Sequence, residues 1–144
     1  MANLIYNVLP RTPRKIVAAR PDCTLKKCIE LMEKFDIGAV VIKNDEEQVV
    51  GIVSERDVIR SCFLSQSINP FTAKVRDIMF TKSPVLSSHD TVEKALHVMH
   101  ASKRRHLLIQ DKDQADAILS ITDLMDYLLD NNAKVIEQLE HYIY

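Results

Sequence analysis

The feature that most constrains the fold of this chain is an internal duplication of its sequence. A threonine followed by apolar residues at helical spacing, a short apolar run, and a serine with an aspartate three residues later all occur twice, in the same order. The two sets are 66 or 67 residues apart. The matched positions are Thr24 and Thr91, 40–42 and 107–109, Ser54 and Ser120, and Asp57 and Asp123. Self-similarity of this kind predicts two copies of one structural unit.

Each copy has the pattern of a β-α-β-β-α unit. The threonines are good helix N-caps, and apolar residues follow them at i, i+3, i+4 and i+7 spacing. These stripes are Leu25, Cys28, Ile29 and Met32 in the first copy, and Val92, Ala95, Leu96 and Met99 in the second. Extended segments are predicted at 16–19, 39–42 and 49–53, and again at 84–86, 106–109 and 117–119, and the run 39–42 is expected to be buried on both faces. Because a unit of about 60 residues buries little apolar surface alone, we expect the copies to pack together, sheet to sheet.

The predicted fold class is α/β of the mixed α+β kind, with two repeats related by a pseudo-twofold axis. We expect the first repeat and an N-terminal helix over residues 1–64, a linker with a short helical turn over 65–80, and the second repeat over 81–130. The N-terminal helix is predicted at 3–9, ending at Pro10. An amphipathic helix is predicted at 131–144, with an apolar stripe on Val135, Ile136, Leu139 and Ile143.

Composition excludes several classes of function. The net charge of −1 predicts neither a nucleic acid nor an anionic membrane as partner. No apolar run approaches a membrane span and the N-terminus does not resemble a signal peptide, so we expect a cytoplasmic protein. Only two glycines occur, which leaves no room for a P-loop or a dinucleotide fingerprint. The three cysteines lack metal-site spacing, and Cys28 is expected in the core, while His97 and His100 are expected to be exposed rather than metal ligands.

The two junctions between strand and helix, at 54–57 and 120–123, carry the residues with the most chemical potential. A helix N-terminus offers backbone N–H groups and a positive dipole end to an anion, and serine or threonine hydroxyls can donate to phosphate. A carboxylate beside them can accept from both hydroxyls of a ribose. Serine and aspartate are also preferred helix caps, so both a binding role and a purely capping role remain open at this point.

These features resemble a known family. The motif at 51–57 (GIVSERD), the segment at 74–79 (KVRDIM) and the two matched repeats resemble a tandem cystathionine β-synthase (CBS) domain pair, also called a Bateman module. The resemblance covers about residues 8–130. The tail at 136–143 is similar to that of small stand-alone bacterial CBS-pair proteins.

The resemblance implies a regulatory module that is not an enzyme and requires no cofactor. It implies two clefts that bind adenine nucleotides, with AMP or ATP as the most favoured ligands and S-adenosylmethionine among the others. In the family, the aspartate binds the ribose, serine and threonine bind phosphate, and the opening strand of the opposite repeat completes each cleft. Carried over by position, one cleft would contain Asp57, Ser54, Pro84 and Val85, and the other Asp123, Ser120, Thr122, Val17 and Ala18. Ile37 and Gly38 would contact adenine and ribose, and Arg105, with Arg104 beside it, would contact phosphate.

The two sites are not expected to be equivalent. Arg56 stands in the first motif where Thr122 stands in the second, and Ala117 replaces the glycine of the motif. Because it retains more hydroxyls, the Asp123 site is the stronger candidate. The expected partners are an adenosyl compound, a second copy of the chain, and an effector protein that the sequence does not identify. The alternative is a dimerisation or protein-interaction module without ligand; an enzyme is least favoured, because no catalytic arrangement of side chains stands out.

Overall fold

The computed structural model describes residues 3–11, 16–65, 68–111, 114–131, 139, 140 and 143. The chain forms two compact units, one of residues 16–83 and one of residues 1–15 together with 84–144. Each unit contains one three-stranded sheet and helices, so the predicted mixed fold of two β-α-β-β-α repeats is confirmed.

The unit of residues 16–83 is the first repeat. Its sheet has the order β1-β2-β3, with β1 parallel to β2 and β2 antiparallel to β3. Its elements are β1 (Ala18–Ala19), α1 (Leu25–Phe35), β2 (Ala39–Lys43), β3 (Val49–Ser54), α2 (Glu55–Arg60), a π-helical segment (Ser61–Ser65) and a 3-10 turn (Val75–Asp77). The helix predicted to run to about residue 64 therefore changes from α to π geometry after Arg60.

The second repeat has the same topology. Its elements are β4 (Val85–Leu86), α3 (Val92–Ser102), β5 (His106–Asp111), β6 (Gln114–Ser120) and α4 (Ile121–Asn131), with sheet order β4-β5-β6. The pairing of Ala18 with Val41 is matched by that of Val85 with Leu108, and both sheets shift register at matched positions, after Ile42 and after Ile109. The duplication thus extends to the register of the strands.

The first helix of each repeat begins and ends in the same way. Thr24 Oγ1 accepts a hydrogen bond from the Lys27 N–H at 3.1 Å, and Thr91 Oγ1 accepts one from the Lys94 N–H at 3.0 Å. Both predicted N-caps are confirmed. Each helix ends at a residue in the left-handed region, Asp36 with φ 52° or Lys103 with φ 56°, although neither is the glycine that this conformation favours.

The predicted helix stripes are buried with one exception. Leu25, Cys28 and Met32 lie in the core of the first repeat, but Ile29 is 38% exposed, whereas the matched Leu96 is only 6% exposed. The prediction for Ile29 is therefore wrong: Leu25, Cys28 and Met32 form the buried stripe of α1, and Ile29 lies at its border with solvent. Cys28 is a core residue as predicted, and burial raises the pKa of its thiol to about 11. The run 39–42 is buried as predicted.

The N-terminal segment differs from the helix predicted at 3–9. It forms two 3-10 turns, Ile5–Asn7 and Leu9–Arg11, and Pro10 lies inside the second turn instead of ending a helix. This is possible because a turn of three residues leaves the proline nitrogen without a required hydrogen bond. The segment packs in the core of the second repeat, with Ile5 and Val8 fully buried there.

The linker packs in the core of the first repeat, as the N-terminal segment packs in the core of the second. Leu4 bridges to the N-cap Thr91 of the second repeat, and Lys74 bridges to the N-cap Thr24 of the first. Val75, which follows Lys74, is fully buried in the core of the first repeat and its N–H donates to the Cys23 carbonyl at 2.8 Å. Each core is therefore closed by the segment that precedes the other repeat in the sequence.

The tail is described at only three positions. Leu139 and Glu140 are helical, and Leu139 is buried in the core of the second repeat. The rest of the predicted tail helix, including Val135 and Ile136, lies outside the described residues, as does the turn at 112–113. Within the described ranges, no helix is long and apolar enough to span a membrane.

Candidate functional site

The first junction is a complete capping box. The Asp57 N–H donates to Ser54 Oγ at 3.1 Å, and the Ser54 N–H donates to Asp57 Oδ2 at 2.9 Å. The Glu55 N–H, the first of α2, donates to the carbonyl of Gly38 at 3.0 Å. The junction is thereby fixed to the residue just before β2, and Ala39 of that strand pairs with Ser54.

The second junction repeats this geometry. The Asp123 N–H donates to Ser120 Oγ at 3.1 Å, and the Ser120 N–H donates to Asp123 Oδ2 at 2.9 Å. The Ile121 N–H donates to the carbonyl of Arg105 at 2.9 Å. The capping role considered for both aspartates is confirmed, and a binding role for them stays a prediction.

The capping boxes limit what each junction can offer to a ligand. Four backbone N–H groups at a helix start have no partner within the helix. In each junction the capping box engages two of them, those of the serine and the aspartate, and the carbonyl of Gly38 or Arg105 engages a third. The fourth belongs to Arg56 in the first junction and to Thr122 in the second. Each cap serine accepts a hydrogen bond, which leaves its hydroxyl proton for donation, and in each box Oδ2 of the aspartate accepts the bond from the serine N–H. Each junction thus presents one further amide, one or two hydroxyls and a carboxylate group.

The side chains around these equivalent backbones differ in charge. In the second unit, Thr122 is exposed at the helix start, and Arg105 is exposed beside it with Arg104 half-buried. At the positions 67 residues earlier the first unit has Ile37 and Gly38, both half-buried and uncharged. The second junction therefore combines hydroxyls with two guanidinium groups, which suits an anionic ligand. The first junction has Arg56 as its cation.

The structure places the predicted site residues in two sets, one in each unit. The first unit holds Asp57, Ser54, Arg56, Ile37, Gly38, Val17 and Ala18, and the second holds Asp123, Thr122, Ser120, Arg104, Arg105, Pro84 and Val85. Within each set, the edge strand joins the central strand: the Val41 N–H donates to the Val17 carbonyl at 3.1 Å, and the Leu108 N–H donates to the Pro84 carbonyl at 3.3 Å. The clefts predicted from the family combine residues of both sets, and that grouping stays a prediction.

Two polar clusters were not predicted from the sequence. Each connects the start of a repeat to the end of the central strand of that repeat. In the second repeat, Ser87 Oγ donates to Asp111 Oδ1 at 2.8 Å and Ser88 Oγ donates to Asp111 Oδ2 at 2.5 Å. In the first, the Arg20 guanidinium donates to the Asn44 carbonyl and pairs with Glu47. Polar residues at matched positions 20 and 87, and at 44 and 111, were the available signal. Both clusters are structural.

Metal-binding chemistry finds no support in the residues that the structure describes. No group of three or more histidine, cysteine, aspartate and glutamate side chains is placed to hold a metal ion there. His97 and His100 lie on α3 at exposed positions, as predicted.

Comparison with known proteins identifies the family. The family model described as CBS domain matches residues 10–63 and 75–130. Inosine-5'-monophosphate dehydrogenase from Methanocaldococcus jannaschii is 29% identical over 114 residues, which are 78% of this chain. The chain spans only 21% of the length of that relative.

Solved structures agree with this match. A CBS-domain containing protein from Agrobacterium tumefaciens has a TM-score of 0.81 at 24% identity, covering 88% of this chain and 93% of that one. The CBS domain pair of protein MJ0100, in complex with 5'-methylthioadenosine and S-adenosyl-L-methionine, has a TM-score of 0.78 at 12% identity, covering 92% and 100%. With two repeats that each match the family model and share one topology, the chain belongs to the CBS domain family as a tandem pair of CBS domains.

Proposed function

We propose that this tandem pair is a regulatory module that binds an adenosine-containing ligand, AMP or ATP being the most favoured, and catalyses no reaction itself. The observation that carries the proposal is the pair of matched strand–helix junctions, each with an aspartate carboxylate and a serine hydroxyl at the start of a helix. The similar domain pair of MJ0100 is in complex with two adenosyl compounds, which supports this ligand class. The module acts in the cytoplasm on an effector protein.

The residues fit such a ligand. Asp123 accepts from the ribose hydroxyls, Ser120 and Thr122 donate to phosphate, and Arg105 with Arg104 neutralises phosphate charge. Val17 and Ala18 complete this site at the adenine. Asp57, Ser54 and Arg56, with Pro84 and Val85, form a second and weaker site, and Ile37 and Gly38 contribute apolar and backbone contacts. Ligand binding biases the relative arrangement of the repeats, which is the signal passed to a partner.

Thermal melting tests the ligand class. We expect at least one of AMP, ADP, ATP, S-adenosylmethionine and NAD to raise the melting temperature, because a ligand at 100 times its Kd adds about 2.7 kcal/mol to the free energy of unfolding. If none of the five compounds raises the melting temperature, the nucleotide proposal is wrong.

The site assignment needs variants that spare the caps. Replacing Asp123 by alanine would remove the acceptor for the Ser120 N–H, at a cost of about 1 kcal/mol in stability. Asp123→Asn keeps an acceptor for that bond but loses the charge, and Thr122→Val removes only a hydroxyl at an exposed position. By calorimetric titration we expect both to weaken nucleotide binding by about 10-fold or more, as for the loss of a hydrogen bond to a charged group. The matched control, Asp57→Asn, should weaken it less, and equal affinities in wild type and Asp123→Asn would refute the assignment.

A second candidate, a dimerisation module without ligand, is favoured by one observation. Phe63 and Leu64, in the π-helical segment of the first repeat, are 81% and 76% exposed, and Ile59 on the preceding turn is exposed as well. Contiguous exposed apolar side chains of this size are typical of protein–protein contacts.

Sedimentation velocity tests this candidate. We expect a dimer in the wild type and a monomer after Phe63→Ser combined with Leu64→Ser, since the contact would lose its apolar centre. The matched control is Leu129→Ser, which changes the position equivalent to Phe63 in the second repeat and should leave a dimer. A monomeric wild type would exclude dimerisation, and a dimer without any nucleotide effect would make it the principal function.

A further inference from the structure

The segment 78–80 lies along the outer edge of β3 and leads from the first repeat toward the second. The Ile52 N–H donates to the Phe80 carbonyl at 3.0 Å, and the Phe80 N–H donates to the Ile52 carbonyl at 2.8 Å. In an antiparallel ladder, backbone groups alternate between the two edges of a strand. Ile52 therefore bonds outward to Phe80, whereas its neighbours Gly51 and Val53 pair inward with β2.

Met79 packs directly over Gly51. A Cβ atom on residue 51 would lie 2.7 Å from the sulfur of Met79 and 2.9 Å from its Cγ, closer than van der Waals contact allows. The absence of a side chain at this position is thus what lets Met79 lie against the strand. Any larger residue at 51 must displace the Met79 side chain from the strand.

The second repeat does not have this arrangement. The bridges of Leu4 and Lys74 to the matched threonines align the N-terminal segment with the linker at an offset of 70, which places Pro10 opposite Phe80. Proline has no N–H, so it cannot form the two-bond bridge that Phe80 makes. The position of Gly51 is taken by Ala117, which carries a Cβ. Among the residues that the structure describes, only the first repeat has this bridged segment.

The bridge lies at the end of a row of paired residues across the first sheet. Ala18 pairs with Val41, Val41 with Ile52, and Ile52 with Phe80. Ile52 is two residues before Ser54, and β4 begins five residues after Phe80. Met79 and Phe80 are only half-buried, while the central strand β2 is buried along most of its length. Ile78 and Met79 pack against the first core as partly buried residues, and partly buried segments open more readily than fully buried strands.

We propose that residues 78–80 are a latch that detaches from β3 as a unit while the sheet stays intact. When attached, the latch couples the first junction to the chain entering the second repeat. The coupling rests on the proposed nucleotide-binding function, whereas the detachment does not.

Hydrogen exchange of single amides, without ligand, tests the detachment. In the wild type, the Ile52 and Phe80 amides should exchange together and about 10-fold or more faster than the Gly51 and Val53 amides, because opening the latch frees only the outward bonds. Gly51→Ala should speed Ile52 and Phe80 by about a further 10-fold and leave Val53 unchanged. Adding Met79→Ala to this variant removes the clashing sulfur and should slow both amides again, to the rates of the Met79→Ala single variant. The matched control in the second repeat is Ala117→Gly, which should change none of them.

Specific results would overturn the latch. One is an Ile52 amide that exchanges at the Val53 rate in the wild type, since the segment would then open only with the strand. Another is a Gly51→Ala variant in which Val53 accelerates as much as Ile52. If Gly51→Ala does not fold, the Met79→Ala single variant provides the test. It removes the contact with Gly51 without introducing a clash, and it should still speed the exchange of the Ile52 and Phe80 amides.

The coupling is tested by adding AMP at a concentration that raises the melting temperature. Bound nucleotide should change the Ile52 and Phe80 exchange rates by about threefold or more in the wild type and leave them unchanged in Gly51→Ala. Binding without this change overturns the coupling. If neither AMP nor any other compound of the panel binds, the proposed function and the coupling both fail, and the detachment is judged by the ligand-free experiment.

Discussion

At the scale of single residues, each repeat has hydrogen bonds that connect its start to the end of its central strand, but the two repeats use different chemical groups for them. Asp111 accepts hydrogen bonds from the hydroxyls of Ser87 and Ser88. The matched Asn44 accepts a hydrogen bond from the Arg20 guanidinium through its backbone carbonyl. Ser88 is the only buried polar residue among those the structure describes, and its hydroxyl is satisfied by Asp111. The fastening in the second repeat therefore depends on a charged carboxylate, whereas that in the first depends on a cation.

This difference predicts a dependence of stability on pH. Hydrogen bonds from Ser88, with a further one from Ser87, hold the pKa of Asp111 below its ordinary value of 3.8. The group thus contributes stability at pH values above 3.8, and the contribution is lost as the pH falls through its lower pKa in the folded state. We expect Asp111→Asn to be less stable than wild type at neutral pH and to lose less stability on acidification below pH 3.8, measured by chemical denaturation at several pH values.

Two comparisons make this prediction specific. Asp90, whose pKa is also lowered, by its bond from the Ser87 N–H and by Lys94, should retain part of the acid dependence in the variant. In the first repeat, Glu47→Gln changes the carboxylate whose pKa is lowered by Arg20, and it should leave the contribution of Asp111 intact. An Asp111→Asn variant that follows the wild-type acid profile would contradict the role given to Ser87 and Ser88.

At the scale of elements, the short 3-10 segments contribute more than their length suggests. Ile5 and Val75 are both fully buried, and each belongs to a turn that closes the core of one repeat. The N–H of Val92, at the start of α3, donates to the Asn3 carbonyl at 2.8 Å, so the turn also supplies a backbone partner to the helix start. Tyr127 Oη adds a bond of 3.2 Å to Asn3 Oδ1.

A reciprocal pair of substitutions tests this arrangement. Ile5→Ala should lower the free energy of unfolding by about 2–5 kcal/mol, the usual cost of a large-to-small change in a core. Its loss of amide protection should be concentrated at Leu107 and Ile109 of the second repeat, although residue 5 precedes the first. Val75→Ala should produce the converse pattern at Val40 and Ile42. If Ile5→Ala instead weakens amide protection in the first repeat, the assignment of the N-terminal segment to the core of the second repeat is wrong.

At the scale of the whole molecule, the duplication made most of the fold predictable. Thr24 and Thr91 marked helix starts that are local in sequence, and the apolar runs beginning at residues 39 and 106 marked central strands that need no distant partner to be recognised. The helix starts and the central strands depend on residues that are close together in the sequence, and both sets of predictions are confirmed.

The remaining features depend on contacts between residues far apart in the chain. The exposure of Ile29 follows from which neighbours already cover α1, and the packing of Ile5 follows from a core more than 80 residues away. For the candidate site, the residues at 54–57 and 120–123 were correctly placed at strand–helix junctions. The engagement of Ser54 and Asp57 in a capping box could only be weighed as an alternative, because a cap and a ligand site use the same residue types.

The exchange of closing segments between the repeats has a consequence for the order of synthesis. Chains are made from the N-terminus, and domains generally fold as units while synthesis continues. The elements of the first repeat all lie at or before residue 83, so they emerge while the second repeat is still being translated. Residues 3–11 leave the ribosome before either repeat, yet their binding place on α3 and β5 does not exist until those elements have emerged. A segment that is made before both repeats is therefore among the last to find its position.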